Sequence, residues 1–219
     1  MQPMENKQWT TVDKTGWGMG PWQDEPDKVQ WRDESTGYPC LIVRAPSGAL
    51  CGYVGVGYEH PAFGKHYDGV DVSVHGGLTY SGECQEHEDE GAGICHVHPG
   101  AGRVWWLGFD CAHYGDMTPQ YDSQLLGALR HEGSTYKDQH YVAREVAELA
   151  EQLNAMEVEG LRKAWVTFRN IVTYPYTYVK NTNWVQRQRR TIIFWNLRRT
   201  MPKVKAALDA FMAKRKEGV

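Results

Sequence analysis

Between residues 70 and 116 the chain gathers side chains that bind metals or move protons. His75, His87, His96, His98 and His113 stand there with Cys84, Cys95, Cys111, Asp110 and Asp116 among them. Such a run is a metal site, a catalytic cleft, or a polar surface that collects these types. Two constellations inside it have the spacing to act together.

The first is Asp110-x-x-His113-x-x-Asp116, taken with His75. The run Asp-Cys-Ala-His-Tyr-Gly-Asp follows the apolar VWWLGF, so it sits where a strand feeds a loop. Rigid scaffolds commonly present functional side chains from such positions. His75 likewise ends VDVSV, and Gly76 and Gly77 follow it, whose missing Cβ lets a substrate or another backbone approach. If the two strands are neighbours, the side chains converge. A mixed nitrogen and oxygen set of that kind suits a divalent metal that activates water. Without a metal, Asp110 orienting His113 makes a general base. On either reading Trp105 or Trp106 lines the pocket. The plainer alternative gives His75 a backbone partner in its turn and leaves Asp116 an ordinary loop carboxylate.

The second is Cys84-x-x-His87 followed by Cys95-x-x-His98. Each short pair lets both ligands reach one ion, so the four can close a tetrahedral zinc site, with His96 competing for the place of His98. The alternative makes Cys84 and Cys95 small buried residues at strand ends. Cys111 is a poor nucleophile, because the acidic groups beside it raise a thiol pKa. Gly52, Gly55 and Gly57 form no dinucleotide fingerprint, since no helix follows them, and they mark a bulge or a tightly packed strand.

The elements that must position these groups follow from periodicity. KVQWRD, CLIVRA and ALCGYVGV are β-branched or aromatic runs separated by the turn signals STGYP and PSG, which predicts an antiparallel meander. Val70, Val72 and Val74 alternate with Asp71 and Ser73, which predicts a half-buried strand. GICHVH is a further candidate strand and VWWLGF a central one. Thr118-Pro119 opens a helix ending at Gly133. A second helix over about 138–155 carries Val142, Val146, Leu149, Ala150 and Leu153 on one stripe. Residues 164–179 read as a helix end and an extended piece, 184–199 as a basic helix, and a last helix starts at Pro202.

The fold class is therefore α+β, an antiparallel sheet in the N-terminal two-thirds packed by C-terminal helices. Residues 1–27 form an extended arm bearing tryptophans, 28–155 an acidic core, and 156–219 a basic helical segment packed on that core. The net charge of -3 hides the asymmetry between the last two. Residues 1–155 hold 10 Lys+Arg against 23 Asp+Glu, and residues 156–219 hold 14 against 4. Mutual attraction of the two halves explains this. So does nucleic-acid binding, with Arg187, Arg189 and Arg190 on phosphates and Trp184, Phe194 and Trp195 stacking on bases. The start MQPMENKQWT lacks the apolar core of a secretory signal, and no run approaches the roughly 18 apolar residues of a membrane span. A cytoplasmic protein with reduced thiols and no membrane contact is expected.

The segments DEPDKVQW, PCLIVR, ALCGYVGV, VHGGLTYSGEC and WWLGFDCAH resemble an uncharacterised family encoded by bacteriophages and prophages, over about residues 21–119. The resemblance brings no catalytic residue and no substrate. It implies a setting, a phage product in the cytoplasm of its bacterial host, where small proteins often act on host defences or on nucleotides. The leading expectation is a metal-assisted hydrolase or nucleotide-handling protein using a divalent metal, zinc or another. The first alternative is a non-enzymatic phage protein that sequesters a small ligand or blocks a host defence protein. The second is a nucleic-acid binder acting through the basic helices.

Overall fold

The computed structural model describes residues 6–85, 87–88, 90–95, 103–124 and 133–173. The chain divides into two compact units, residues 1–154 and 155–219.

Six strands of the first unit make one antiparallel sheet: β1 (Lys7–Trp9), β2 (Lys28–Arg32), β3 (Pro39–Arg44), β4 (Leu50–Gly57), β5 (Tyr80–Glu83) and β6 (Val104–Asp110). Their order is β1-β2-β3-β4-β6-β5. The meander arises where the turn residues stand. Asp33 Oδ1 accepts from the backbone N–H of Thr36 at 2.8 Å and turns β2 into β3. Pro46, Ser47 and Gly48 close the next turn, with the Gly48 N–H donating to the Ala45 carbonyl at 2.9 Å. β6 then enters between β4 and β5, so VWWLGF has a partner on both sides, as its unbroken apolar run requires. The arm contributes β1, which pairs with β2, and buries the indoles of Trp17 and Trp22.

Leu41, Val43, Cys51, Tyr53 and Trp106 cluster on one face of the sheet, and Ile94 packs against them. On the other face Ile42, Gly52 and Phe109 lie side by side. A Cβ at Gly52 would stand 2.6 Å from Val146, so glycine is what lets a helix approach this strand. That helix is α2 (Gln139–Thr173), which follows the shorter α1 (Pro119–Gln124). Its Val142, Val146, Leu149, Ala150 and Leu153 are fully buried, the stripe expected from spacing. No helix among the described residues is long and apolar enough to cross a membrane.

Three expectations need correction. VDVSV forms no strand. The backbone of Ser73 and of the following His75 bonds to side chains of α2 instead, Ser73 N–H to Gln152 Oε1 at 2.8 Å and His75 N–H to Glu145 Oε2 at 2.9 Å. Helical side chains thus satisfy groups that a neighbouring strand would otherwise have to satisfy. In GICHVH the described residues 93–95 form no strand: Ile94 makes an isolated bridge with Gln85, and residues 96–98 lie outside the described residues. Finally, α2 does not stop near 155 but runs unbroken for 35 residues. The rest of the expected 119–133 helix, the basic helix and the last helix fall outside the described residues.

A buried ionic cluster fastens the start of α2. Arg44 donates from Nε to Asp27 at 2.8 Å, from one terminal nitrogen to Tyr136 at 2.8 Å and from the other to Glu25 at 3.1 Å. Lys14 lies 2.8 Å from Asp27. Glu25 in turn accepts from the N–H of Gln139, the first residue of α2, at 2.9 Å. Burial pushes the Asp27 carboxyl up, but Lys14, the N–H groups of Val12 and Thr11, and Arg44 together hold it below the usual carboxylate range.

Candidate metal centre

Three pieces of chain meet beside the first turns of α2. The turn after residue 74 supplies His75. Gly77 N–H donates to the Val74 carbonyl at 3.0 Å, and Gly76 and Gly77 both take positive φ, +65° and +86°. L-residues with a side chain rarely adopt that backbone, which explains the pair of glycines. The loop after β6 supplies His113 and Asp116. Asp110 ends the strand and accepts from the N–H of Ala112 at 3.0 Å, starting the loop, and Asp116 N–H donates to the His113 carbonyl at 2.9 Å. A bridge between Asp116 and Thr135 then brings Lys137 alongside.

Asp116 sits at the centre, with a side chain only 4 % exposed. Its Oδ2 lies 2.7 Å from His75 Nε2 and accepts from the His113 N–H at 3.0 Å. Its Oδ1 faces Lys137 Nζ at 3.6 Å. The imidazoles of His75 and His113 approach edge to face, with centroids 5.5 Å apart. One nitrogen or oxygen from each of His75, His113 and Asp116 falls within 4.8 Å of the others, so these three could hold one metal ion. Two imidazoles and a carboxylate are a ligand set of catalytic zinc, which keeps a further position open.

Two atoms test that fit. His113 Nδ1 is buried and has no hydrogen-bond partner. The nearest carboxylate oxygens stand at 3.7 Å (Asp116) and 3.8 Å (Asp110), beyond hydrogen-bond reach. A buried polar atom left this way is uncommon and calls for an ion or water. His75 Nδ1, by contrast, is engaged by the Tyr141 hydroxyl at 3.0 Å. A ligating histidine ordinarily gives its second ring nitrogen to such a partner, which fixes ring and tautomer. Burial and then the Glu145 carboxylate push the Tyr141 hydroxyl above the usual tyrosine range, so it keeps its proton.

Of the expected catalytic set, His75, His113 and Asp116 converge, and Asp110 stands beside them without joining the three. Gly76 makes room for the ring of His113, against which any Cβ there would collide, while the space around Gly77 is open. Trp105 and Trp106 are elsewhere. They lie near the start of β6, about 13–17 Å from Asp110 along the strand. Trp105 donates to the Lys65 carbonyl at 3.1 Å and its ring meets Phe63, while Trp106 is fully buried in the core cluster. Neither lines this pocket.

The expected zinc site of Cys84, His87, Cys95 and His98 is overturned in part. Cys84 and Cys95 form a disulfide, with Cα atoms 4.9 Å apart, and bonded sulfurs have no thiolate to give a metal. Reduced thiols are thus found only at Cys40, Cys51 and Cys111, all buried. Burial, then the charges of Asp116, Cys51, Asp110 and Glu145, push the Cys111 thiol far up, which removes it as a nucleophile. His87 is exposed, and His98 lies outside the described residues, as do Arg187, Arg189 and Arg190.

Sequence reasoning missed Tyr141, Glu145 and Gln152, the residues of α2 that grip residues 73–75. Their signal was present. Each immediately precedes a member of the apolar stripe, namely Val142, Val146 or Leu153, so the three form a polar column bordering the buried one. No protein-family model, curated protein or solved structure matches this chain.

Proposed function

We propose that His75, His113 and Asp116 hold a divalent metal ion and that the protein is a metal-assisted hydrolase. The observation that carries this reading is the buried, unpartnered Nδ1 of His113 beside two further ligand atoms. An ion held by these three side chains would supply the missing partner of His113 Nδ1. It would also polarise the substrate and lower the pKa of water.

The chain's own residues do the rest. Asp116 fixes His113 through its backbone and His75 through its ring. Tyr141 and Glu145 hold the other side of His75, at Nδ1 and at the backbone N–H. Asp110, with about a third of its side chain exposed, is the carboxylate placed at the rim to accept a proton from water. The proposed setting is a bacterial host cytoplasm, supported by the phage resemblance of residues 21–119. The Cys84–Cys95 bond speaks against it, because disulfides persist in oxidising compartments.

Elemental analysis of the purified protein tests the reading. Wild type should carry about one divalent ion per chain, and His113→Ala should lose both the ion and ester or phosphoester hydrolysis while keeping its circular dichroism. Turnover that persists in metal-free protein rejects it.

A further inference from the structure

Resting on that reading of the site, we infer that its substrate carries a phosphoryl group, held by Lys137 and Arg144. Both cations gather on one aromatic ring at the edge of the three ligands. Lys137 Nζ stands 5.3 Å from the centroid of Tyr141, and the Arg144 guanidinium carbon stands 5.2 Å from it. The hydroxyl of that same tyrosine touches His75. The ring of Tyr141 therefore carries two positive charges near it, while its hydroxyl end touches a metal ligand.

Local structure accounts for Lys137 only in part. Its ammonium donates to the Thr135 hydroxyl at 2.7 Å and lies 3.6 Å from Asp116 Oδ1, a distance of attraction rather than of a hydrogen bond. An ammonium has three donors, so a further acceptor can be served. Arg144 is exposed on α2, one turn along from Tyr141 and His140. A divalent ion would add a third positive centre and outweigh the Asp116 carboxylate it binds. Several terminal oxygens on one dianionic centre can meet ion, ammonium and guanidinium together. A phosphoryl group offers three such oxygens, and a guanidinium fork matches two of them at once. A carboxylate offers only two and a single charge, so it leaves one cation unserved.

The test uses the full chain loaded with Mn2+, orthophosphate as the probe, and acetate as the competitor. Phosphorus-31 relaxation reports orthophosphate brought close to the bound manganese. Wild type should enhance it, and acetate should not displace the signal. Arg144→Gln, which touches no metal ligand, should weaken orthophosphate binding about tenfold, the size of one lost charge-assisted hydrogen bond, with manganese content unchanged. Lys137→Gln should weaken orthophosphate binding as well. If manganese binds but Arg144→Gln holds orthophosphate as tightly as wild type, or acetate competes equally well, the phosphoryl inference alone is overturned. If wild type takes up no manganese or other divalent ion, the metal reading beneath it falls as well.

Discussion

His75 and Asp116 meet at 2.7 Å between Nε2 and Oδ2, although 41 residues separate them in the chain. The antiparallel pairing of β5 with β6, Tyr80 opposite Gly108, brings the loop after β6 to the turn that precedes β5. Asp116 is also a structural acceptor for the His113 N–H. Asp116→Ala should therefore cost metal-free protein about 2–3 kcal/mol, the usual penalty for stranding buried donors. Urea unfolding in the presence of a chelator measures it. A loss confined to metal-loaded protein would mean that Asp116 has no role in the apo fold.

Tyr141 acts on the ion only through His75. Tyr141→Phe keeps the ring and its packing but removes the partner of His75 Nδ1. The expected result is about 10–100-fold weaker metal affinity, the range for losing an outer partner of a ligating histidine, with thermal stability of the apo protein nearly unchanged. Titration with a fluorescent zinc chelator reads the affinity. Equal affinity in the two proteins would place His75 outside the coordination shell.

The sheet was legible in the sequence because Asp33, Gly37 and Gly48 mark its turns and because VWWLGF has no polar face, so it needed partners on both sides. His113 and Asp116 were legible as residues of the right chemistry in the loop after a strand, and His75 by its chemistry and the two glycines after it, although no strand directly precedes it. Alternation misled at VDVSV, since Val70 is buried as in a strand while the backbone partners are Gln152 and Glu145. Side-chain-to-backbone bonds of that kind leave no periodic trace. Two cysteines eleven residues apart fit a zinc loop and a disulfide equally well, and only their Cα separation decides.

The Asp27 cluster should govern acid stability. Its folded carboxyl is held below the ordinary value, so its contribution is complete above the unfolded pKa of about 3.9 and disappears as the pH falls through the lower folded value. Wild-type urea midpoints should accordingly fall below about pH 5. Asp27→Asn removes the carboxylate from buried Lys14 and leaves buried Arg44 with Glu25 alone, and should cost about 3–5 kcal/mol at pH 7, with a shallower acid limb. An acid limb identical to wild type would assign the loss to other carboxylates.

The disulfide makes a separate claim. It closes a loop spanning eleven residues of sequence separation, and Lys28, itself buried, donates to the Glu90 and Cys95 carbonyls beneath it. Cys84→Ser with Cys95→Ser should cost about 3 kcal/mol from the freed unfolded chain. Metal content should not change, since neither sulfur is among the converging ligands. Loss of the ion from the double serine variant would return these cysteines to the coordination sphere.

Gly76 and Gly77 separate backbone strain from ligand placement. Both hold positive φ, so alanine at either should cost about 1–2 kcal/mol for the left-handed backbone. Only at Gly76 does the new Cβ also run into the imidazole of His113. The two variants should therefore show similar urea midpoints shifted down from wild type, allowing Gly76→Ala a small further loss from displacing the ring. Their metal contents should diverge sharply, with Gly77→Ala retaining the ion and Gly76→Ala losing it together with hydrolysis. Because the neighbouring glycine carries the same backbone cost, a general loosening of the turn predicts equal losses in both. Equal retention of metal in both would instead show that His113 can be pushed aside without consequence, and that it is no ligand.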